Sequence, residues 1–228
     1  TNHIQTIYLG SGCFWGAEKG YENLEGVIDA ESGYANGFGV KPNYRSIIQL
    51  KNKYNQDNFA EVVKVTFNSN FINLEEILKH FFENHDPTQL NRQGNDIGTQ
   101  YRSTILFEGE DQEELAKQIL NEYQKLLFKG GFGEIKTKVE SLENFYLAEE
   151  YHQDYLKKNP NGYCPDLSTG IVFNENQKNY LDNSNLLSGK QILVLDSKGF
   201  CPYCEYFKED VTTDYKGSIP LVLSLIHI

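Results

Sequence analysis

One junction constrains this chain more than any other: the run Gly12-Cys13-Phe14-Trp15-Gly16. It follows an apolar run, Ile7-Tyr8-Leu9, and two small residues, Gly10 and Ser11. Beyond it, Ala17, Tyr21 and Leu24 recur at helical spacing, and Gly26 stands where a C-cap glycine would. The pattern predicts a strand, a tight turn and a helix whose first turn carries Cys13. Unpaired backbone N–H groups and the positive end of the helix dipole lower a thiol pKa there, and thiolate is the nucleophilic form. The flanking glycines let backbone approach a ligand closely. Phe14 and Trp15, the single tryptophan, supply an apolar wall. The same residues also read as a buried structural cysteine beside core aromatics.

Further along, strands are expected at 4–9, 27–34, 61–67, 101–107 and 136–142, the third being rich in β-branched residues. Leu74, Ile77, Leu78, Phe81 and Phe82 form a helical stripe, with Asn73 as N-cap, Glu76 three residues on and Asp86-Pro87 as the stop. A second long helix spans 111–127, with Leu115, Ile119, Tyr123 and Leu126 on one face, and Gly130-Gly131 ends it. Residues 144–158 read as a helix or an irregular arm, followed by a turn-rich tail. Interleaved helices with several adjoining strands favour the α+β class. The expected architecture is a two-layer sandwich, a mostly antiparallel (ferredoxin-like) sheet with helices on one face, plus an irregular C-terminal arm.

Composition excludes some classes. A net charge of −11 and the lack of a basic run longer than two residues argue against nucleic acid and anionic membrane partners. No apolar run approaches the roughly 18 residues of a bilayer span. No signal peptide is visible, so a cytoplasmic location is expected, with periplasmic export left open. The chain starts at Thr1 and holds no methionine, so its natural N-terminus is expected to be missing. Four cysteines in 228 residues do not make a disulfide scaffold. Among His80, His85 and His152, no His/Cys pair has zinc spacing, so no metal is expected.

The last 60 residues or so read as a different unit. Residues 168–187 are Asn-rich and linker-like. Ile192-Leu193-Val194-Leu195 is a buried-type strand leading to Cys201-Pro202-Tyr203-Cys204 and a helical 205–210. A C-x-x-C between strand and helix is a thioredoxin-like redox arrangement, and this wording resembles glutaredoxins. Residues 188–228 are too few for that fold, so a truncated thioredoxin-like segment is expected. Leu223-Ser224-Leu225-Ile226-His227-Ile228 reads as a translated sequencing adapter, which suggests a reading frame cut at both ends.

Several ordered motifs then fall together. Gly-Cys-Phe-Trp-Gly at 12–16 resembles the active-site motif of the A-type peptide-methionine sulfoxide reductases. His85-Asp86-Pro87-Thr88-Gln89 and the run from Gln93 to Ser103 are similar to that family too. So are Glu150-Tyr151-His152-Gln153-Asp154-Tyr155-Leu156 and Asn159-Pro160-Asn161-Gly162-Tyr163-Cys164. The resemblance covers residues 4–167, which sets the expected domain at 1–167. It implies a substrate, methionine S-sulfoxide, free or in a peptide or protein. Cys13 would attack the sulfur and become a sulfenic acid as methionine leaves. Glu61 matches the family's acid. A carboxyl at the start of an apolar strand is partly desolvated, which raises its pKa toward the working pH. Tyr44 and Tyr101 match the phenols that hydrogen-bond the sulfoxide oxygen, and Asp96 matches the acidic partner. Phe14 and Trp15 would hold the S-methyl group. Cys164 matches the thiol that condenses with the sulfenic acid to a disulfide. The implied needs are no bound cofactor, a thiol reductant (a thioredoxin-type protein, a fused thioredoxin-like unit or a small dithiol), and a monomer. Cys201 of the Cys201–Cys204 dithiol could then reduce the disulfide by exchange.

Taken singly, each residue has a plainer role. Glu61 could be a solvated carboxylate, Asp96 an Asx-turn residue, Tyr44 and Tyr101 ordinary packing, and Cys164 an idle thiol. Two other functions stay open at this point: a general thiol–disulfide oxidoreductase centred on Cys201–Cys204, and a module that only binds oxidised methionine. One departure stands out. The segment from Tyr44 to Glu61 is several residues longer than the family pattern, and Asn58-Phe59-Ala60 replaces its Gly-rich turn and histidine.

Overall fold

The computed structural model describes residues 3–173 with their side chains, and the backbone of two strands at 192–197 and 221–226. The contacts divide the chain into one unit up to Phe173 and a second from Asn174.

The first unit is α+β. In chain order it has β1 (Ile4–Ser11), α1 (Phe14–Glu22), β2 (Val27–Ala35), α2 (Tyr44–Ile47), β3 (Ala60–Asn68) and α3 (Leu74–Glu83). There follow a two-residue ladder of β4 (Arg92–Gln93) and β5 (Asp96–Ile97), then β6 (Ser103–Phe107), α4 (Glu110–Lys129), β7 (Lys138–Ser141), β8 (Phe145–Leu147) and α5 (Tyr155–Lys158). Six strands form one sheet in the order β7-β6-β1-β3-β2-β8. Its pairs are antiparallel except β6 with β7, which run parallel, so the sheet is mixed.

Burial explains the layering. β3 is central, and Val63, Val65 and Phe67 face the main core with Ile7 and Leu9 of β1. Ile77, Leu78, Phe81 and Phe82 of α3 and Ile119, Tyr123 and Leu127 of α4 close that core from the same side. On the other face Tyr8, Ala35, Ala60, Val62 and Leu106 make a smaller cluster, covered by Leu142 and Phe145. The capping box of α3 is complete: Glu76 N–H donates to Asn73 Oδ1 at 2.9 Å, and Asn73 N–H donates to Glu76 Oε2 at 3.1 Å. Such a cap contributes about 1 kcal/mol.

Several elements differ from their expected extent. α1 ends at Glu22 with Asn23 as its cap, so Gly26 belongs to the following turn. On α4 the buried face is Ala116, Ile119, Tyr123 and Leu127, rotated from the stripe expected, and Leu115 and Leu126 lie at its edge. The 144–158 arm begins as the edge strand β8 and continues in turns to α5. Residues 169–173, expected to lie within the linker, pack on the first unit. Tyr123 Oη donates to the Ile171 carbonyl at 2.8 Å, Phe173 stacks on Tyr123 at 5.0 Å, and Phe173 N–H donates to Glu83 at 2.7 Å.

In the second unit β9 (Ile192–Ser197) and β10 (Leu221–Ile226) pair in parallel, Leu221 opposite Ile192. Cys201, Cys204 and the helix expected at 205–210 lie outside the described residues.

Register positions the site. Leu9 of β1 pairs with Val63 of β3 and Ile105 of β6, and Glu61 of β3 pairs with Tyr34 of β2. The end of β1, the start of β3 and the end of β2 therefore meet at one rim of the sheet. The Cys13 turn leaves β1 at that rim.

Candidate active site

Cys13 is the N-cap residue of α1, reached through Gly12 at φ +94°. A Cβ at Gly12 would lie 2.7 Å from the Gln93 side chain, so only glycine fits that turn. The first helical N–H, that of Phe14, donates to Glu61 Oε2 at 3.3 Å. Glu61 thus occupies the helix N-terminus that follows Cys13.

Glu61 is 2% exposed. Burial lifts its carboxyl to about 8, with the Phe14 N–H opposing and Asp96 adding to the rise. It is a carboxylic acid at neutral pH. Cys13 departs from expectation. Burial pushes the thiol well above its ordinary range, charge on Glu61 adds to this, and the Trp15 N–H opposes it only partly. The first turn of a nine-residue helix does not offset the loss of water around a thiolate. The resting pair is therefore a thiol beside a protonated carboxyl.

Tyr44 opens α2, whose N-terminus is held by a capping box between Asn43 and Ser46. Its backbone N–H donates to Glu149 Oε1 at 2.9 Å, and Glu149 Oε2 accepts from Tyr34 Oη at 2.7 Å. Burial works against charge on Glu149, yet these two donors outweigh it and hold the carboxyl below its usual range. Tyr101 ends a 3-10 turn at Thr99–Tyr101. Burial raises its phenol well above the usual range, as do the charges of Glu61, Tyr44, Asp96 and Cys13. Burial also raises Tyr44, with further contributions from Glu61, Cys13, Tyr151 and Asp96. Glu61, Asp96 and Cys13 bear on both phenols, and both phenols keep their protons. Asp96 lies on β5. Burial raises its carboxyl, the Tyr163 hydroxyl opposes this, and Oδ2 is buried without a hydrogen-bond partner.

The long segment between Tyr44 and Glu61 joins the two tyrosines. Asn52 Nδ2 donates to the Ser46 carbonyl at 2.7 Å, in the helix of Tyr44. Thr99 Oγ1 donates to the Asn52 carbonyl at 3.0 Å and Thr99 N–H to the Lys53 carbonyl at 2.9 Å, in the turn of Tyr101. Buried Arg102 donates to the carbonyls of Asn58, Thr99 and Asn36 at 2.8, 3.0 and 2.9 Å.

The aromatic wall divides. Phe14 is almost wholly buried in the main core. Trp15 is half-buried, stacked on Tyr155 at 3.8 Å, with Nε1–H donating to His152 Nδ1 at 3.0 Å. Glu149, His152 and Tyr155 were not singled out in the sequence as site residues. The available signal was a run of chemistry-bearing side chains inside a turn-rich arm.

Cys164 is exposed and both described cysteines are free. Its sulfur lies 3.1 Å from where a Cβ on Gly16 would stand, one turn along α1 from Cys13. Cys13, Asp96, Tyr163 and Cys164, with Gly16 and His80, line one cavity of about 260 Å³. Gly16→Ala is expected to push Cys164 aside. Rapid-quench assays should then show methionine forming in the first turnover at the normal rate and the following disulfide forming at least several-fold more slowly. Equal rates for both steps would remove Gly16 from the approach of Cys164.

Among the described residues no group of three His, Cys, Asp or Glu side chains could hold a metal, and no helix is long and apolar enough to cross a membrane.

The model of one family, peptide methionine sulfoxide reductase, matches residues 5–183. The mitochondrial peptide methionine sulfoxide reductase of Rattus norvegicus is 46% identical over 167 residues, 73% of this chain and 70% of that protein. The peptide methionine sulfoxide reductase MsrA of Corynebacterium efficiens is 44% identical over 167 residues, 72% of this chain and 75% of that protein. Methionine sulfoxide reductase A of Corynebacterium diphtheriae superimposes with a TM-score of 0.66 at 38% identity, covering 76% of this chain and 83% of that one.

Proposed function

The chain belongs to the peptide methionine sulfoxide reductase family, and we propose that Cys13, Glu61 and Cys164 carry its chemistry. It reduces methionine sulfoxide to methionine. The S-sulfoxide is the substrate, free or within oxidised proteins that the enzyme repairs. The sulfoxide oxygen lies between the phenols of Tyr44 and Tyr101, and its methyl group packs on Trp15 and the edge of Phe14. Asp96 orders the polar side of the pocket.

The chemistry balances as follows. The Glu61 acid and the two phenols stabilise the oxygen, and the proton that the Cys13 thiol gives up replaces the one Glu61 passes to that oxygen. The sulfur of Cys13 bonds to the substrate sulfur while Glu61 protonates the oxygen. The hydroxyl then passes from the substrate sulfur to the Cys13 sulfur as the bond between the two sulfurs breaks, leaving methionine and a sulfenic acid. The Cys164 thiol condenses with that sulfenic acid, forming a disulfide and releasing water. A thioredoxin-type dithiol reduces the disulfide, and the exposure of Cys164 suits attack by such a partner. The Cys201–Cys204 pair of the C-terminal unit is a candidate for that dithiol. In this reading residues 1–167 are the reductase domain, with βαββαβ core strands β6-β1-β3-β2 in ferredoxin-like order, and 188–228 are a partial thioredoxin-like segment.

The observation that carries the reading is the Glu61 carboxyl, buried and held protonated beside the Cys13 turn. Cys13→Ser tests it. Reduction of methionine sulfoxide should vanish. Sulfoxide reduction that survives this change would move the chemistry to another thiol, and Cys201 would be the first to examine.

A further inference from the structure

One buried polar group near the wall takes no part in the chemistry above. His152 is 1% exposed and sits among four rings: Phe14 at 5.1 Å, Trp15 at 5.8 Å, Tyr44 at 4.8 Å and Tyr151 at 4.3 Å. An indole N–H can only donate, so Nδ1 of His152 is the acceptor of the 3.0 Å bond from Trp15. In the neutral ring the proton is then on Nε2, which is buried with no hydrogen-bond partner. The arm that carries His152 is itself clamped to β2. Gln153 Oε1 accepts from Ser32 N–H at 3.0 Å, and Gln153 Nε2 donates to the Ser32 carbonyl at 2.9 Å and the Ala148 carbonyl at 3.0 Å.

We propose that His152 is a positioning residue: as a neutral acceptor it fixes the Trp15 indole in the orientation that makes it the wall of the methyl pocket. This rests on the reading of Trp15 as part of the substrate site. With Tyr155 stacked on one face and the indole N–H tied to His152, the ring has neither tilt nor spin left to it. A proton on Nδ1 would turn the acceptor into a donor and break the tie. Burial disfavours that proton and Glu149 opposes the burial; Glu149 is the charged group bearing on His152, and the other groups facing it are the rings of Phe14, Trp15, Tyr44 and Tyr151. His152 is therefore neutral at pH 7 and the wall is in place.

Trp15 is the single tryptophan of the chain, so emission excited at the red edge of the indole band, where the 15 tyrosines do not absorb, reports on this ring. The wild-type emission is expected to change as pH falls through a midpoint below 6.5, the ordinary value for histidine, and His152→Gln should lack that transition. In single turnovers with methionine sulfoxide, His152→Leu removes the acceptor and should raise the half-saturating concentration about five- to tenfold, with the saturating rate little changed. His152→Gln, whose amide oxygen can accept the indole N–H, should restore most of that loss. An acid transition that persists in His152→Gln, or a loss equal in the Leu and Gln variants, would overturn the role of His152. Trp15→Phe with unchanged substrate affinity would instead sink the reading of Trp15 as the wall, while leaving the fluorescence result intact.

Discussion

Glu61→Gln is expected to slow methionine formation in a single turnover by about 10² to 10⁴, the usual worth of a positioned general acid. Glutamine keeps the shape of the side chain and can still accept the Phe14 N–H. It cannot give the sulfoxide oxygen a proton, so the pocket should bind substrate normally and fail at the chemical step. The wild-type rate should also fall as pH rises through about 8, because the acid must be protonated to work. The same residue sets a stability trend of opposite benefit. A carboxyl raised from 4.5 to about 8 by folding binds a proton that the unfolded chain has already lost over that window. Stability therefore declines as pH rises from about 4.5 to 8, by on the order of a few kcal/mol in total. Glu61→Gln removes this loss, so the variant should melt at a higher temperature than wild type at pH 8. A near-normal rate in Glu61→Gln would move the acid to Asp96 or to a tyrosine.

Cys164→Ser separates chemistry from recycling. Methionine should form to about one equivalent per enzyme, with Cys13 left as sulfenic acid. Turnover driven by a thioredoxin-type reductant should drop by about 10²-fold or more, because an intramolecular thiol held near Cys13 is replaced by one that must arrive from solution. A small dithiol that reaches the sulfenic acid directly should still support slow cycling. The free, exposed sulfur of Cys164 beside Gly16 is what makes this division sharp. Normal turnover of Cys164→Ser with a protein dithiol would assign the resolving step elsewhere.

Much of the frame is legible in the residues. An apolar run, β-branched content and helical spacing placed β1, β3 and α3 respectively, and the Asn73–Glu76 cap stands as read. The Cys13 turn could be located because glycines and small residues on a strand-to-helix junction leave few alternatives. What failed did so for tertiary reasons. β8 is three residues long, and its place depends on pairing with β2 across more than a hundred positions. The tail at 169–173 has no local pattern, and Tyr123 and Glu83 capture it. The thiol of Cys13 was read from the helix end alone. Burial, which raises it, depends on the loops that gather round it in space. Glu149 and His152 act by gripping Tyr44 and Trp15 from a turn-rich arm, and nothing in their spacing announces a grip.

The most direct test of the account is the pairing state of the cysteines after one turnover. Reduced protein is mixed with a limited amount of methionine sulfoxide, without reductant, then trapped, digested and weighed by mass spectrometry. The account predicts a loss of two hydrogens matched to the methionine made, in a peptide pair linking Cys13 to Cys164. A product in which Cys13 remains a free thiol, with the oxidation on Cys201 and Cys204 alone, would contradict it.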